Sequence, residues 1–247
     1  MTLKKLLSQS DKSSAAREEH WIPLSDLMSG LMMMFMLVAI IFMVKVEAEA
    51  KKAEEAALTV KGIALIYDDL RARLYQELQA EFQKDLPVWG ADLERDLTIR
   101  FKEPNVLFDT GSDVLKPRFV AILNDFFPRY VRILTGPNYK EAIEEIRIEG
   151  HTSSVWTGAS SGSDAYFRNM ALSQSRTRSA LQHVLMRPEV SELQDWLRGR
   201  LTANGLSSSK LIRRADGSEN REGSQRVEFR VRTNAEERMA EILKAAR

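Results

Sequence analysis

The feature that most constrains this chain is an uncharged apolar run of 18 residues, Leu27–Val44. Extended back to Ile22, the run covers 23 residues and includes a single charged side chain, Asp26. At 1.5 Å per residue, a helix of this length crosses a hydrocarbon core of about 30 Å. The sequence therefore predicts a transmembrane helix over residues 22–44.

A cleaved signal peptide is the alternative, because Ala48-Glu49-Ala50 resembles a small-residue cleavage site. The apolar run is longer than an ordinary signal-peptide core. The segment before it also carries acidic residues where a signal peptide has positive charge. These acidic residues are Asp11, Glu18 and Glu19. We therefore expect an uncleaved single-pass anchor.

Asp26 has two interpretations. Pro23 suits the first turn of a helix, and a helix that begins there places the Asp26 carboxylate about one turn inside. A carboxylate that faces lipid costs about 2.5–3.5 kcal/mol, so Asp26 should face protein or water. Burial raises a carboxyl pKa, which makes reversible protonation near neutral pH feasible. Alternatively, Ser25 or Asp26 caps a helix that begins at Leu27.

A proton-carrying Asp26 requires a partner protein, because the other faces of a single span meet lipid and cannot enclose an ion path. Ser29 and Gly30 are small, and small residues allow a neighbouring helix to approach closely.

Residues 45–88 are predicted to form a helical stalk. Residues 45–57 are charged and rich in Ala, which favours a helix over a flexible linker. Apolar residues then recur every four positions, at Ile66, Leu70, Leu74, Leu78, Phe82 and Leu86. This stripe packs either on its own domain or on a second copy of the chain, and the sequence leaves both possibilities open. A breaker at Pro87–Gly90 ends the helix.

A domain of mixed α+β class is predicted over residues 89–233, followed by a charged helix over residues 234–247. Alternating apolar residues predict strands near residues 97–101, 146–148 and 225–231. Helical patterns cover residues 117–134, 164–186 and 188–203.

Composition excludes several classes of function. The chain has no cysteine and three histidines, so a thiolate or His-rich metal site is not expected. The near balance of 36 basic and 35 acidic side chains excludes a polycation that binds nucleic acid through bulk charge. No nucleophile–base pair stands at a spacing typical of an enzyme. We therefore expect no enzymatic activity, no cofactor and no metal.

Several motifs together resemble the OmpA-like peptidoglycan-binding domain over about residues 97–232. They are Val106–Ser112 before a helix, Glu149-Gly150-His151-Thr152 after a strand, Asn169-x-x-Leu172-Ser173-x-x-Arg176, and Ser224–Glu228. The resemblance implies a βαβαβ-type sandwich that grips the diaminopimelate-containing stem peptide of peptidoglycan.

The same resemblance implies the binding residues. Arg176 would hold the diaminopimelate carboxylate through its two-pronged guanidinium. Asn169 and Leu172 would line and order the pocket, with Leu172 acting mostly through core packing. Thr152 and Ser153 would complete the site.

One position departs from the family pattern. Ser153 stands where the family usually has an Asp that pairs with the ligand amine. The loop that follows is longer than usual and leads to Asp164, which either replaces the missing carboxylate or caps the next helix.

The combination of one span with an acid at its start, a helical connector and an OmpA-like domain resembles the B subunits of proton-driven stator motors, such as MotB. The motifs Trp21–Met32, Gly150–Ser154 and Leu172–Ser179 look most like the ZorB subunits of the Zorya anti-phage defence system. The resemblance implies a homodimer inside a ring of a multi-span MotA/ZorA-like partner, with the proton as the transported ion. Further defence effectors are expected as partners.

This resemblance also implies a location in the bacterial inner membrane, with residues 1–21 cytoplasmic and the C-terminal domain periplasmic. A flagellar-type stator subunit is an alternative with the same chemistry. A passive peptidoglycan tether, in which Asp26 is only a cap, is an alternative of another class.

Overall fold

The computed structural model describes residues 21–102 and 104–234, together with Lys244. The predicted N-terminal segment before residue 21 and nearly all of the predicted C-terminal helix over residues 234–247 lie outside the described residues. The chain divides into two units that meet in sequence between Val60 and Lys61. The second unit, from Lys61 to Lys244, contains the sheet domain.

The first element, α1, is a helix over Trp21–Phe82. Its large apolar side chains over residues 27–44 are exposed, from 49% at Leu31 to 75% at Met32. Among the described residues, α1 is the one helix long and apolar enough to cross a membrane, and its best 18-residue window has a mean hydropathy of 2.6. The helix covers the span predicted at residues 22–44.

The last turns of α1 belong to the second unit. Leu74, Leu78 and Phe82 are fully buried in the hydrophobic core of the sheet domain. The Phe82 ring lies 5.4 Å from the ring of Phe126 and 5.8 Å from that of Trp89. The sequence leaves open whether the apolar stripe packs on its own domain or on a second copy. These three residues of the stripe pack on their own domain. The domain begins inside α1 rather than at residue 89, since residues from 61 onward belong to its unit.

Polar contacts reinforce this packing. Arg129 lies 5.0 Å over the ring of Phe82, and its Nε donates to Glu81 Oε1 at 2.7 Å. The Tyr139 hydroxyl donates to Glu77 Oε1 at 2.6 Å. Burial, together with this hydrogen bond to Glu77, raises the pKa of Tyr139 to about 12, so the hydroxyl keeps its proton. The last two turns of α1 are thus held by both apolar and charged contacts.

The domain continues as a series of short helices and strands around two longer helices. The helices are α2 Leu86–Trp89, α3 Pro104–Leu107, α4 Pro117–Leu134, α5 Gly162–Leu185, α6 Gln194–Arg198 and α7 Arg221–Ser224. The strands are β1 Ala91–Leu93, β2 Thr98–Phe101, β3 Ile143–His151, β4 Leu201–Gly205 and β5 Arg226–Thr233. The predicted strands in β2, β3 and β5 and the predicted helices α4 and α5 are confirmed, as is the α+β class.

The five strands form one sheet in the order β1-β2-β5-β3-β4. β1, β2, β5 and β3 pair antiparallel, whereas β3 and β4 pair parallel. The parallel pair follows from its connection, because the chain crosses from β3 to β4 through α5. The C-terminal strand β5 lies in the middle of the sheet and directly beside β3.

The two faces of the sheet differ because side chains alternate along a strand. Ile146, Ile148 and Phe229 are fully buried, and the Phe229 ring lies 5.1 Å from that of Phe126 on α4. Charged side chains such as Arg147 occupy the alternate positions of these strands and lie on the opposite face. The helices therefore cover one face, and the other face is a charged surface.

The prediction of one helix over residues 188–203 is wrong. A 3₁₀ helix covers Pro188–Leu193, α6 follows as a single short turn, and Leu201 begins strand β4. The chain leaves the helix at Gly199 because β4 pairs with β3, in register from Leu201 opposite Ile146. The apolar residues that suggested one helix therefore belong to three different elements.

Candidate functional site

A narrow cleft lies where β3, β5, α3 and α5 meet in the sheet domain. Leu107 and Phe108 contribute one wall and Val227 another. The remaining lining residues are Gly150, His151, Ser173, Arg176, Gln225 and Arg226. Arg176, the residue predicted to hold a carboxylate, is thus part of a concave site.

The Arg176 side chain is held in place on three sides. Its Nε donates to the carbonyl of Ser112 at 2.8 Å and its Nη2 to the carbonyl of Asp109 at 2.9 Å. The guanidinium also lies 4.8 Å from the centre of the Phe108 ring. Burial lowers the pKa of the guanidinium, with Asp113 opposing the shift, but an arginine in a protein stays charged. The site therefore presents a fixed positive charge.

Asn169, Thr152 and Ser153 are brought together by the fold, although they act mainly on one another's backbone. Asn169 is buried, and its Nδ2 donates to the carbonyl of Ser153 at 3.1 Å and to that of Val155 at 3.4 Å. Thr152 and Ser153 are also buried, and the Thr152 amide donates to the carbonyl of Ser207 at 2.9 Å. Asn169 therefore orders the loop after β3, while its amide is not among the groups that line the cleft.

The other two predicted residues lie elsewhere. Leu172 is half-buried and is not among the residues of the hydrophobic core, so its expected role in core packing is not seen. Asp164 lies in the first turn of α5, where its carboxylate accepts from the amide of Ser160 at 2.9 Å and from Arg168 Nε at 2.7 Å. Twelve residues of helix separate it from Arg176, about 18 Å along the axis. The structure therefore gives Asp164 a role at the start of the helix and does not bring it to the cleft.

Two glycines allow α5 to lie close against the sheet and so position Arg176. A Cβ on Gly150 would come within 2.6 Å of Thr177 Cγ2 and 2.9 Å of the Ser173 carbonyl. A Cβ on Gly205 would come within 2.2 Å of the Gln174 amide nitrogen. These contacts are too short for any side chain, so both strands need glycine where they cross the helix.

Sequence reasoning missed the groups that hold Arg176. The Val106–Ser112 motif is recognisable, but only the fold shows that the Phe108 ring and two carbonyls from this segment contact the guanidinium. It also missed Glu219, whose carboxylate accepts from the amide of Ser154 at 2.9 Å and from its hydroxyl at 2.5 Å. A carboxylate thus contacts the residue next to Ser153, from a distant part of the chain.

A second group of titratable residues lies beside the cleft. Glu149 and His151 on β3 and Glu228 on β5 are buried, and their ligand atoms all lie within 4.8 Å of one another. The spacing of these residues in the sequence does not predict a metal site. The pairing of β3 with β5 sets Glu149 directly opposite Glu228.

The first unit contains the other predicted site residue, Asp26. It lies in α1 beyond the first turn and is exposed along the helix. Ser29 and Gly30 follow at the i+3 and i+4 positions and so share its helix face. The Ser29 hydroxyl donates to the carbonyl of Ser25, and a Cβ on Gly30 would contact nothing within 4 Å. Since α1 already includes residues 21–25, it does not start at Leu27 with Asp26 as its cap.

Comparison with known proteins identifies the relationship of the whole chain. It is 45% identical over 226 residues to the Zorya protein ZorB of Escherichia coli, and the match covers 91% of this chain and 92% of that protein. The chain belongs to the ZorB family. No protein-family model matches the sequence.

Solved structures are also similar to this ZorB-family chain. A MotB-like protein from Desulfovibrio vulgaris is 25% identical with a TM-score of 0.47, covering 67% of this chain and 96% of its own. The cell wall anchor of the type VI secretion system from Pseudomonas aeruginosa is 19% identical with a TM-score of 0.43, covering 63% of this chain and 96% of its own.

Proposed function

We propose that this ZorB-family protein is a peptidoglycan-anchored subunit of a proton-driven inner-membrane motor that acts in anti-phage defence. A homodimer would stand within a ring of a MotA/ZorA-like multi-span partner, with the N-terminus in the cytoplasm and the sheet domain in the periplasm. The observation that carries the proposal is an acid, Asp26, set inside an otherwise uncharged span of a chain that belongs to the ZorB family.

The position of Asp26 in the helix supports a role in carrying protons. Because α1 continues on both sides of Asp26, the neighbouring amides are used by the helix itself and the carboxylate is free to face a partner. A carboxylate at this depth is costly unless protein or water surrounds it. A MotA/ZorA-like partner that packs against Ser29 and Gly30 would supply that surrounding surface.

The energy available from proton flow is sufficient for mechanical work. One elementary charge that crosses a potential of 100 mV yields about 2.3 kcal/mol. Asp26 would take a proton from the periplasmic side and release it towards the cytoplasm. Its change of charge would alter its contacts with the partner ring, and the ring would then turn around the anchored dimer.

The Arg176 cleft supports anchoring in peptidoglycan. A guanidinium recognises a carboxylate through two parallel hydrogen bonds, and here it is half-buried, charged and already oriented by Asp109, Ser112 and Phe108. The stem peptide of peptidoglycan supplies such a carboxylate at its diaminopimelate residue. Attachment to the cell wall would prevent the dimer from turning with the ring.

The first test replaces the acid. Asp26→Asn keeps the size and shape of the side chain but cannot cycle a proton, so phage protection should be lost while membrane insertion and complex formation persist. Glu49→Gln is the matched control, because it removes a carboxylate of the same helix outside the apolar run. Full protection by Asp26→Asn would refute proton carriage and favour a passive tether. Loss of the complex would point to a structural role of the acid.

The second test addresses the anchor. Arg176→Ala should reduce retention of the protein on purified diaminopimelate-type peptidoglycan at unchanged helix content. Arg178→Ala is the matched control, since Arg178 is exposed on the same helix. Equal retention of the two variants would remove Arg176 from the binding site.

A further inference from the structure

The charged face of the sheet contains one buried group that neither the span nor the Arg176 cleft explains. Glu149 and His151 alternate along β3, and Glu228 stands opposite Glu149 on β5. Their exposed fractions are 6%, 4% and 4%. Gly150, between the first two, faces α5, so Glu149 and His151 point to the side of the sheet away from that helix. Three side chains able to bind a metal are therefore buried together on two paired strands.

The imidazole of His151 lacks a hydrogen-bond partner at both ring nitrogens. Its Nε2 lies 3.5 Å from Glu228 Oε2 and 3.7 Å from Glu149 Oε2. Both distances exceed those of an ordinary hydrogen bond, which is about 2.7–3.2 Å for a nitrogen donor. A buried polar group without a partner is costly, so this arrangement calls for another group to satisfy it.

These two distances suit neighbouring ligands of one ion, and all three ligand atoms lie within 4.8 Å of one another. Zinc lies about 2.0–2.2 Å from imidazole nitrogen and carboxylate oxygen, and in tetrahedral geometry the ligand atoms then stand about 3.3–3.6 Å apart. The spacing of Nε2 from the two carboxylates is close to this value. An imidazole with two carboxylates is a donor set suited to zinc and related first-row ions, whereas magnesium prefers six oxygens.

The surroundings keep one carboxylate ready to bind. Glu228 Oε1 accepts from Arg226 Nε at 2.6 Å and from Arg100 Nε at 2.7 Å, which leaves Oε2 directed towards His151. Hydrogen bonds that orient a metal-binding carboxylate through its other oxygen are typical of metal sites.

We propose that Glu149, His151 and Glu228 form a binding site for a first-row divalent cation, with Zn²⁺ as the best match. The ion would join β3 to β5 beside the cleft, with water completing its coordination. Because the ligands come from two strands, an ion bound to the folded domain stabilises it in proportion to occupancy. The three ligands are distinct from Asp26 and Arg176, on which the proposed function rests, although His151 also lines the cleft.

The test measures metal content on the full chain. Tag-free protein in detergent is stripped with a chelator, dialysed against ZnCl₂ and then against buffer, and its zinc is measured by elemental analysis. The wild type should retain about one zinc ion per chain, because three protein ligands would hold one ion. His151→Gln and Glu149→Gln should each lose at least nine-tenths of it. His183→Gln is the matched control, because His183 bonds Asn124 away from the trio and should not affect retention.

A second measurement covers the case in which the substitutions unfold the domain. X-ray absorption on the wild type loaded with zinc should show nitrogen and oxygen ligands, one of them imidazole, at about 2.0–2.2 Å. Loaded wild type should also melt at a higher temperature than stripped protein, and MgCl₂ should cause no such shift. Less than a tenth of a zinc ion per wild-type chain would overturn the proposal, and so would equal retention by folded His151→Gln. A zinc spectrum without imidazole would also overturn it.

Discussion

Replacing Leu78 by Ala tests whether the end of α1 is part of the domain core. The Leu78 side chain is fully buried and belongs to the cluster that contains Phe82, Trp89 and Phe126. Truncation to Ala removes its apolar contacts and leaves a cavity. We therefore expect Leu78→Ala to destabilise the domain, although it lies in the region that the sequence assigns to a stalk.

Buried Leu→Ala substitutions cost about 2–5 kcal/mol, and a value of about 3 kcal/mol suits a fully buried side chain in a tightly packed cluster. A domain of this size loses about 2–4 °C in Tm for each kcal/mol. The expected fall is therefore about 6–12 °C. Leu65→Ala is the matched control, because Leu65 lies on the same helix and is 61% exposed. Its Tm should change little.

The assay is thermal unfolding of the purified full chain, followed by tryptophan fluorescence, since Trp89 lies in the affected cluster. The measurement is repeated at two protein concentrations. Truncation of a side chain in the core of its own domain lowers Tm equally at both concentrations. Truncation of a side chain in an interface between two copies lowers Tm by an amount that depends on protein concentration. Equal Tm values for Leu78→Ala and Leu65→Ala would refute the reasoning, and so would a loss confined to low concentration.

Three further predictions follow from particular contacts. Single cysteines placed at Leu74 and Leu78 in this cysteine-free chain should not cross-link between copies under mild oxidation, because both positions are fully buried in their own domain; a disulfide-linked dimer on a non-reducing gel would contradict this packing. Asp164→Ala should lower Tm slightly and leave retention on peptidoglycan unchanged, because the carboxylate bonds Ser160 and Arg168 at the start of α5; weaker retention would return Asp164 to the binding site. The pKa of Glu228 is lowered in the folded protein, although burial opposes the shift. The ionised Glu228 side chain therefore contributes its full stabilisation above the unfolded-state pKa of about 4.3. This stabilisation is lost as the pH falls from there towards the folded-state pKa. Denaturant unfolding should accordingly show a smaller loss of stability below pH of about 4 for Glu228→Gln than for the wild type, and parallel curves would contradict the assignment.

The elements with strong local patterns could be predicted from the sequence. The alternation of Ile146 and Ile148 predicts β3, and the apolar period after Pro117 predicts α4. Strand β4 escapes prediction because it has only five residues and directly follows a helical pattern, and its pairing with β3 makes it a strand. The preceding helix ends at Gly199, a residue type that commonly ends helices.

The site shows the same division. The motif around Arg176 identifies the guanidinium, but the partners of the guanidinium are backbone carbonyls. Almost any residue type can supply a backbone carbonyl, so the sequence does not reveal these partners. Asn169 is recognisable as part of the motif, yet only the fold shows that it binds the loop after β3. The buried trio depends on the register of β5 against β3, which the sequence does not specify. Interactions between distant segments are therefore what sequence patterns fail to predict.

The way Arg176 is held restricts how any anion can approach it. A guanidinium has five N–H donors, and the edge formed by Nε and Nη2 is already occupied by the carbonyls of Ser112 and Asp109. A carboxylate must then bind end-on, across the outer hydrogens of Nη1 and Nη2. The side chain loses little rotational freedom on binding, so recognition carries a small entropic penalty. In the proposed anchor, Arg176 would therefore select among carboxylates by their angle of approach as well as by their charge.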